Sequence, residues 1–170
     1  MPNHVANTVY IDGAPENVKA FRDAIRGNEK VIDFNALIPM PEEIYRGDLG
    51  PEEREKYGAD NWYDWSIGHW GTKWNAYEQT DGIGTIDFWT AWTAPIPIYF
   101  ELCKKANRFH VNLTIYWSNE DIGSGTGKVT MTDSGGIYID EGDSREEDEE
   151  NYAHAWGEPY VEDWLEDENN

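Results

Sequence analysis

Cysteine is almost missing from this chain. Cys103 is the only one in 170 residues, which rules out an intrachain disulfide framework and a cysteine-based zinc site and suits a reducing compartment. Basic residues are scarce as well: 13 Lys and Arg face 34 Asp and Glu, for a formal charge of −21. A field of that sign repels nucleic acid, anionic membrane and phosphorylated substrates, and it favours cationic partners. Direct binding of DNA or RNA is therefore not expected. No stretch approaches the roughly 20 apolar residues that would span a bilayer, and the start of the chain has no basic segment followed by an apolar run. A soluble, non-exported protein is expected. His4, His69, His110 and His154 are scattered without ligand spacing, so neither a metal nor a cofactor is anticipated.

What the sequence has in excess is tryptophan and local acidity. Four of its nine tryptophans, Trp62, Trp65, Trp70 and Trp74, fall within residues 60–78, broken by Gly68 and Gly71. Each such ring removes roughly 150–250 Å² from water when buried, so the segment must be packed or bound. The acidity lies elsewhere. From Asp133 onward there are 15 acidic residues and one basic residue, Arg145. Ser144 followed by Glu147 forms a capping box, Tyr152 and Trp156 are four apart before Gly157, and Pro159 opens a second pattern with Tyr160, Val161, Trp164 and Leu165. Two short helices are expected there, with aromatic stripes that dock and acidic faces that point outward.

Along the rest of the chain, His4 to Ile11 alternates as a first strand, and Pro15 opens a helix with Val18, Phe21 and Ile25 on one face, stopped by Gly27. Val31 to Leu37 reads as a second strand, and Glu42 to Tyr57 as a charged loop with one or two helical turns. Gly82 to Trp92 is a third strand, with Ile86, Phe88 and Trp92 inward. A helix to about Asn107 follows, carrying Ile98, Tyr99, Leu102, Cys103 and Ala106. Phe109 to Trp117 alternates cleanly, with one face in the core and the other facing water or a partner. Lys128 to Thr132 and Ile137 to Asp140 form a hairpin.

The order strand, helix, strand, strand, helix, strand is that of an α+β ferredoxin-like sandwich, an antiparallel sheet with two helices on one face. To it are added a C-terminal hairpin and short acidic helices. The expected organisation is one domain over residues 1–140 with a Trp-rich insertion at 60–78, and an acidic extension over 141–170. Several blocks also resemble the YubB-like proteins with a ferredoxin-like domain, found on plasmids and phages. They are His4-Val5-Ala6-Asn7, Ile32-Asp33-Phe34-Asn35 with Ile38-Pro39-Met40-Pro41-Glu42, Asn61-Trp62-Tyr63, Trp70-Gly71-Thr72-Lys73-Trp74-Asn75-Ala76, Thr90-Ala91-Trp92 with Pro95, and Glu120-Asp121-Ile122-Gly123. The resemblance covers roughly the first 140 residues. It implies this fold, a mobile-element origin and the cytoplasm of a bacterial host, and it brings no activity with it. With one cysteine, no iron–sulfur cluster is implied.

Gly123-Ser124-Gly125-Thr126-Gly127-Lys128 resembles a phosphate loop, but it lies between strands, Ile122 stands where the first Gly belongs, and Val129 stands where Ser or Thr would hold magnesium. It reads as a turn. The best site candidate is the Trp-rich segment, where Asp60, Trp62, Asp64, Trp65, His69, Trp70, Lys73, Trp74 and Asn75 interleave rings with polar groups. These residues either pack and satisfy an irregular loop, which is the preferred reading, or stack on a small ligand or peptide; Asp64 with His69 would be the acid–base pair of a hydrolase. On the packing reading, loss of the Trp74 ring lowers the melting temperature sharply. The second candidate is an acidic interaction surface made of Asp140, Glu141, Asp143, Glu146, Glu147, Asp148, Glu149, Glu150, Glu158, Glu162, Asp163 and Glu166. It suggests a non-enzymatic phage or plasmid accessory protein that occupies a basic surface on a host protein, one that normally holds nucleic acid. Counter-defence against a nuclease or CRISPR effector by mimicry of DNA charge would fit.

Overall fold

The computed structural model describes residues 3–132 and 134–161. The chain opens with β1 (His4–Asp12) and α1 (Pro15–Ile25), runs through α2 (Phe34–Leu37), α3 (Pro51–Tyr57) and α4 (Trp62–Trp70), and returns to the sheet in β2 (Tyr77–Asp81) and β3 (Thr85–Ala91). Then come α5 (Ile96–Arg108), β4 (Asn112–Asn119), β5 (Thr126–Met131), β6 (Ile137–Glu141) and α6 (Arg145–Trp156). The six strands lie in the order β2-β3-β1-β4-β5-β6, antiparallel at every neighbour. The first four, with α1 and α5, have the ferredoxin-like connectivity.

Alternation decides which face each strand buries. Val5 and Val9 of β1, Ile86 and Phe88 of β3, Leu113, Ile115 and Trp117 of β4 and Val129 of β5 point to one side. There they meet Phe21 and Ile25 of α1 and Ile98, Tyr99, Leu102, Cys103 and Ala106 of α5. One polar network lies within this core. The Tyr99 hydroxyl donates to Asn7 Oδ1, while Asn7 Nδ2 donates to the carbonyls of Val5 (2.9 Å) and Phe88 (3.2 Å). Every donor is used, so burying Asn7 in mid-strand leaves nothing unpaired.

The opposite face is built by the intervening residues. Ala6, Tyr116 and Ala155 form a small cluster there, with Trp89 and Trp156 packed against it, so α6 lies across β1, β4 and β5. The alternate face of β4, which the sequence leaves open to water or a partner, is here covered by the chain's own last described helix.

The structure departs from the sequence reading at several places, each with a physical reason. Val31 to Leu37 is not the second strand; it is a turn leading into α2, capped by Asp33, whose carboxylate accepts from Asn35 N at 3.0 Å. Side chains instead of a strand ladder take its backbone donors: Ile32 N donates to Gln79 Oε1 (2.9 Å) and Phe34 N to Asn75 Oδ1 (3.0 Å). The true second strand is Tyr77–Asp81, a polar edge with no apolar alternation to reveal it. Trp92 does not continue the inward row of β3. Thr90 takes that place, and Trp92 turns out with φ of 73° and 43% of its surface exposed. Phe109 and His110 belong to the end of α5, where His110 adopts φ of 55° to leave the helix.

The glycine-rich turn is also explained by packing. Gly127 lies opposite Trp117 in the β4–β5 ladder, and a Cβ there would sit 2.2 Å from the indole and 2.7 Å from the Asp140 carbonyl. Gly127→Ala is expected to cost about 1–3 kcal/mol by overpacking, read as a fall in the urea midpoint. A second expectation concerns alkaline stability. Burial pushes the Cys103 thiol from its ordinary 9.0 up to about 12. The folded chain keeps this proton where the unfolded chain has lost it, so stability declines as pH climbs from 9.0 towards 12. Urea melts across that window should show a shallower decline in Cys103→Ala.

Candidate functional site

Residues 61–76, expected to be an irregular aromatic loop, are largely helical. Asn61, fully buried, is the N-cap of α4: its Oδ1 accepts from Tyr63 N and Asp64 N, both at 3.0 Å, and its Nδ2 donates to Gly58 O (2.6 Å) and Asp64 Oδ2 (2.5 Å). Gly71 closes the helix in the left-handed region with φ of 77°, against Pro97 of α5. The four indoles then divide. Trp65 and Trp70 are buried, with Trp70 edge-on to Phe34 and donating through Nε1 to Ile38 O at 2.9 Å. Trp62 is half-buried and donates to Gly47 O. Trp74 is 38% exposed.

The polar residues of this segment mostly serve the backbone. Asn75 accepts from Phe34 N and donates to Asp33 Oδ1 (2.7 Å), tying α2 to the start of β2. His69 stacks on Trp65 with ring centroids 4.3 Å apart and engages the Trp65 carbonyl at 2.8 Å. Asp64 and His69 are five residues apart, about 140° around a helix, so they face different directions and form no acid–base pair. Asp60 is exposed, and its carbonyl accepts from Tyr45 N. Lys73 is different. Its Nζ lies 4.5 Å from the ring centroids of both Trp74 and Trp92 and 6.0 Å from Tyr63, so two exposed indoles bracket one ammonium. Trp92 was missed because period-two reading assigns it to the core.

The acidic surface is assembled by β6 and α6. Ser144 caps α6, accepting from Glu147 N at 3.3 Å, and Glu147 returns to accept from Asp143 N at 2.9 Å. Below, the helix is fastened to the sheet. Trp156 packs on Trp89 with centroids 5.3 Å apart and donates from Nε1 to Asn119 O at 3.3 Å. His154 stacks on Tyr116 at 4.1 Å, Thr8 donates to Ala155 O, and Thr126 donates to Asp148 Oδ1 at 2.5 Å. Outward lie Glu146, Glu147 and Glu150, exposed, with Asp140, Glu141 and Asp143 beside them. Arg145 pairs with Glu149 at 2.8 Å, and Lys128 sits over Tyr116, its ammonium held charged by that ring's hydroxyl and by Glu150 and Asp140. Glu158 is exposed beyond the helix; Glu162, Asp163 and Glu166 lie outside the described residues, as does most of the second expected helix.

The phosphate-loop likeness fails on geometry. Residues Ile122–Ser124 make one 3-10 turn between β4 and β5, Gly123 N is used by the Asp121 carboxylate at 3.0 Å, and the Ser124 and Gly125 carbonyls accept from Asn119. An aspartate stands where a phosphate would. The turn forms one wall of a cavity of about 560 Å³ that also includes Trp92, Trp117, Glu141 and Asp148. Among the described residues no group of three or more His, Cys, Asp or Glu is arranged to hold a metal ion, and no helix is long and apolar enough to cross a membrane.

Sheet order and helix placement together define a ferredoxin-like α+β protein. A family model described as the ferredoxin-like domain in Api92-like protein matches residues 69–158, more than half of the chain, and the chain belongs to that family. The match runs from the end of α4 through β6 and α6. No curated protein and no solved structure matches.

The exposure of Trp74 reverses the expected effect of its loss. Trp70→Ala is expected to cost about 3–5 kcal/mol by chemical denaturation, and Trp74→Ala less than about 1 kcal/mol.

Proposed function

We propose that this chain is a non-enzymatic, acidic accessory protein that covers a basic surface of another protein, one that ordinarily holds nucleic acid. The observation that carries the reading is that α6 is fastened to the sheet along one side, so its carboxylates are presented in a fixed array. Residues Glu146–Glu150 are five successive acids. Three of them, Glu146, Glu147 and Glu150, face outward within about 6 Å of helix axis, while Asp148 is turned to Thr126 and Glu149 to Arg145. An array fixed before binding loses little conformational freedom on association.

The YubB-like resemblance supports a plasmid or phage origin and a setting in the bacterial cytoplasm, where counter-defence against a nuclease or CRISPR effector is the role that charge mimicry would serve. A second reading, a small-ligand or peptide module using the Trp-rich segment, draws on one observation, the exposed Trp74–Lys73–Trp92 stack. It no longer includes Trp65 and Trp70, which are buried.

The test is retention of basic proteins from a bacterial lysate at low and high salt, comparing wild type with the triple variant Glu146→Gln, Glu147→Gln, Glu150→Gln. The wild type should retain a basic protein at low ionic strength and release it in high salt, while the folded triple variant loses it. Failure of the wild type to retain any basic protein, or equal retention by the triple variant, refutes charge mimicry.

A further inference from the structure

Beside α6, the sheet face carries a groove of about 450 Å³ that is separate from the outward acidic face. Its floor is formed by Thr8 and Tyr10 of β1, Thr85, Asp87 and Trp89 of β3, and Glu78 and Thr80 of β2; its wall is formed by His154, Ala155, Trp156 and Gly157. Asp87 is held in mid-strand by the Thr8 hydroxyl at 2.7 Å, and the Tyr10 hydroxyl meets His154 Nδ1 at 3.1 Å.

Glu78 reaches this face through a local irregularity. The ladder pairs Tyr77 with Trp89 and Thr80 with Asp87, so β2 carries one residue more than β3 over that interval. Within the bulge, Glu78 has φ of 46°, a left-handed conformation uncommon for a residue with a side chain. Gln79 leaves toward Ile32 N, and Glu78 lines the groove. An irregularity that costs backbone strain therefore adds a second carboxylate to a cavity that already has one.

We propose that this groove binds an organic cation, an ammonium or guanidinium group on an aliphatic stem. Two carboxylates and the rings of Tyr10, Trp89, His154 and Trp156 line it, and no lysine or arginine does so among the described residues. Ring faces attract a cation and cover its stem, while carboxylates complete its hydrogen bonds. An anion meets two like charges in a chain of charge −21. The inference is independent of the charge-mimicry reading, since Asp87 and Glu78 do not belong to the α6 face.

Trp89 and Trp156 in the groove make tryptophan emission the natural readout, with calorimetry for stoichiometry. Agmatine, spermidine and N-acetyl-arginine amide are titrated into the full chain at about 0.15 M salt, with sorbitol as the uncharged control. One-to-one saturable binding of at least one cation is expected, weakened about tenfold or more in Asp87→Asn and in Glu78→Gln. It should be unchanged in Glu146→Gln, Glu147→Gln. Preference for the blocked arginine points to a protein side chain as the natural ligand, and preference for the free amines points to a small molecule; either supports the site. Asparagine at 87 can still accept from Thr8, and Glu78 is exposed, so at least one variant is expected to fold, checked by thermal melting. Absence of saturable binding, equal binding of sorbitol, or undiminished affinity in both folded variants overturns the proposal.

Discussion

The contact on which the functional reading depends is the one between Trp156 and the sheet. This indole lies on Trp89 of β3 and donates to the Asn119 carbonyl at the end of β4, so one side chain ties α6 to two strands. His154 on Tyr116 and the bond from Thr8 to the Ala155 carbonyl repeat the attachment along the helix. Without these contacts, residues 145–150 would be a solvated charge run with no fixed geometry. With them, electrostatic repulsion among neighbouring carboxylates is borne by apolar burial on the other side of the helix.

A division of labour between the two sheet faces follows. The α1 and α5 face carries the large apolar core and the Asn7–Tyr99 network, and it is closed. Among the described residues the other face is partly covered, by one helix whose buried side is small: Asn151 and Ala155 are its buried residues. Asp87 of β3, outside the cover of α6, is half-buried and held by the hydroxyl of the buried Thr8. The closed apolar core and the polar, aromatic face lie on opposite sides of one sheet.

Much of the fold was legible in the sequence wherever periodicity was strong. Val5, Val9 and Ile11, Ile86 and Phe88, Leu113 to Trp117, and the Ile98 to Ala106 stripe each give one face of one element. Legibility failed where polarity or all-round aromaticity erased the period. Tyr77–Asp81 pairs as an edge strand although its residues are largely exposed, and α4 buries Trp65 and Trp70 while exposing Ile67, so no stripe marks it as a helix. The blocks behind the family resemblance turn out to be fold-closing parts: Asn7 in the core, Asp33 and Asn61 as caps, Asn75 as a latch, Thr72 donating to the Ala91 carbonyl, and Asp121 capping its turn. Motifs of that kind specify a shape, which is why they carried a fold and no chemistry. The helix α6 and its outward acids were legible from the capping box and the Tyr152–Trp156 spacing, but Trp89 and Tyr116, the distant rings on which it docks, were not.

The bonds that Gln79 and Asn75 make to the backbone of Ile32 and Phe34 have one more consequence. They fasten an irregular segment beside β2 through side chains, in place of a strand ladder. The opposite margin, β6, is five residues long and ends in Asp140 and Glu141, where another copy of the same strand would meet like charge. Among the described residues, the β6 border of the six-stranded sheet thus carries a charge arrangement that disfavours edge-to-edge pairing of copies.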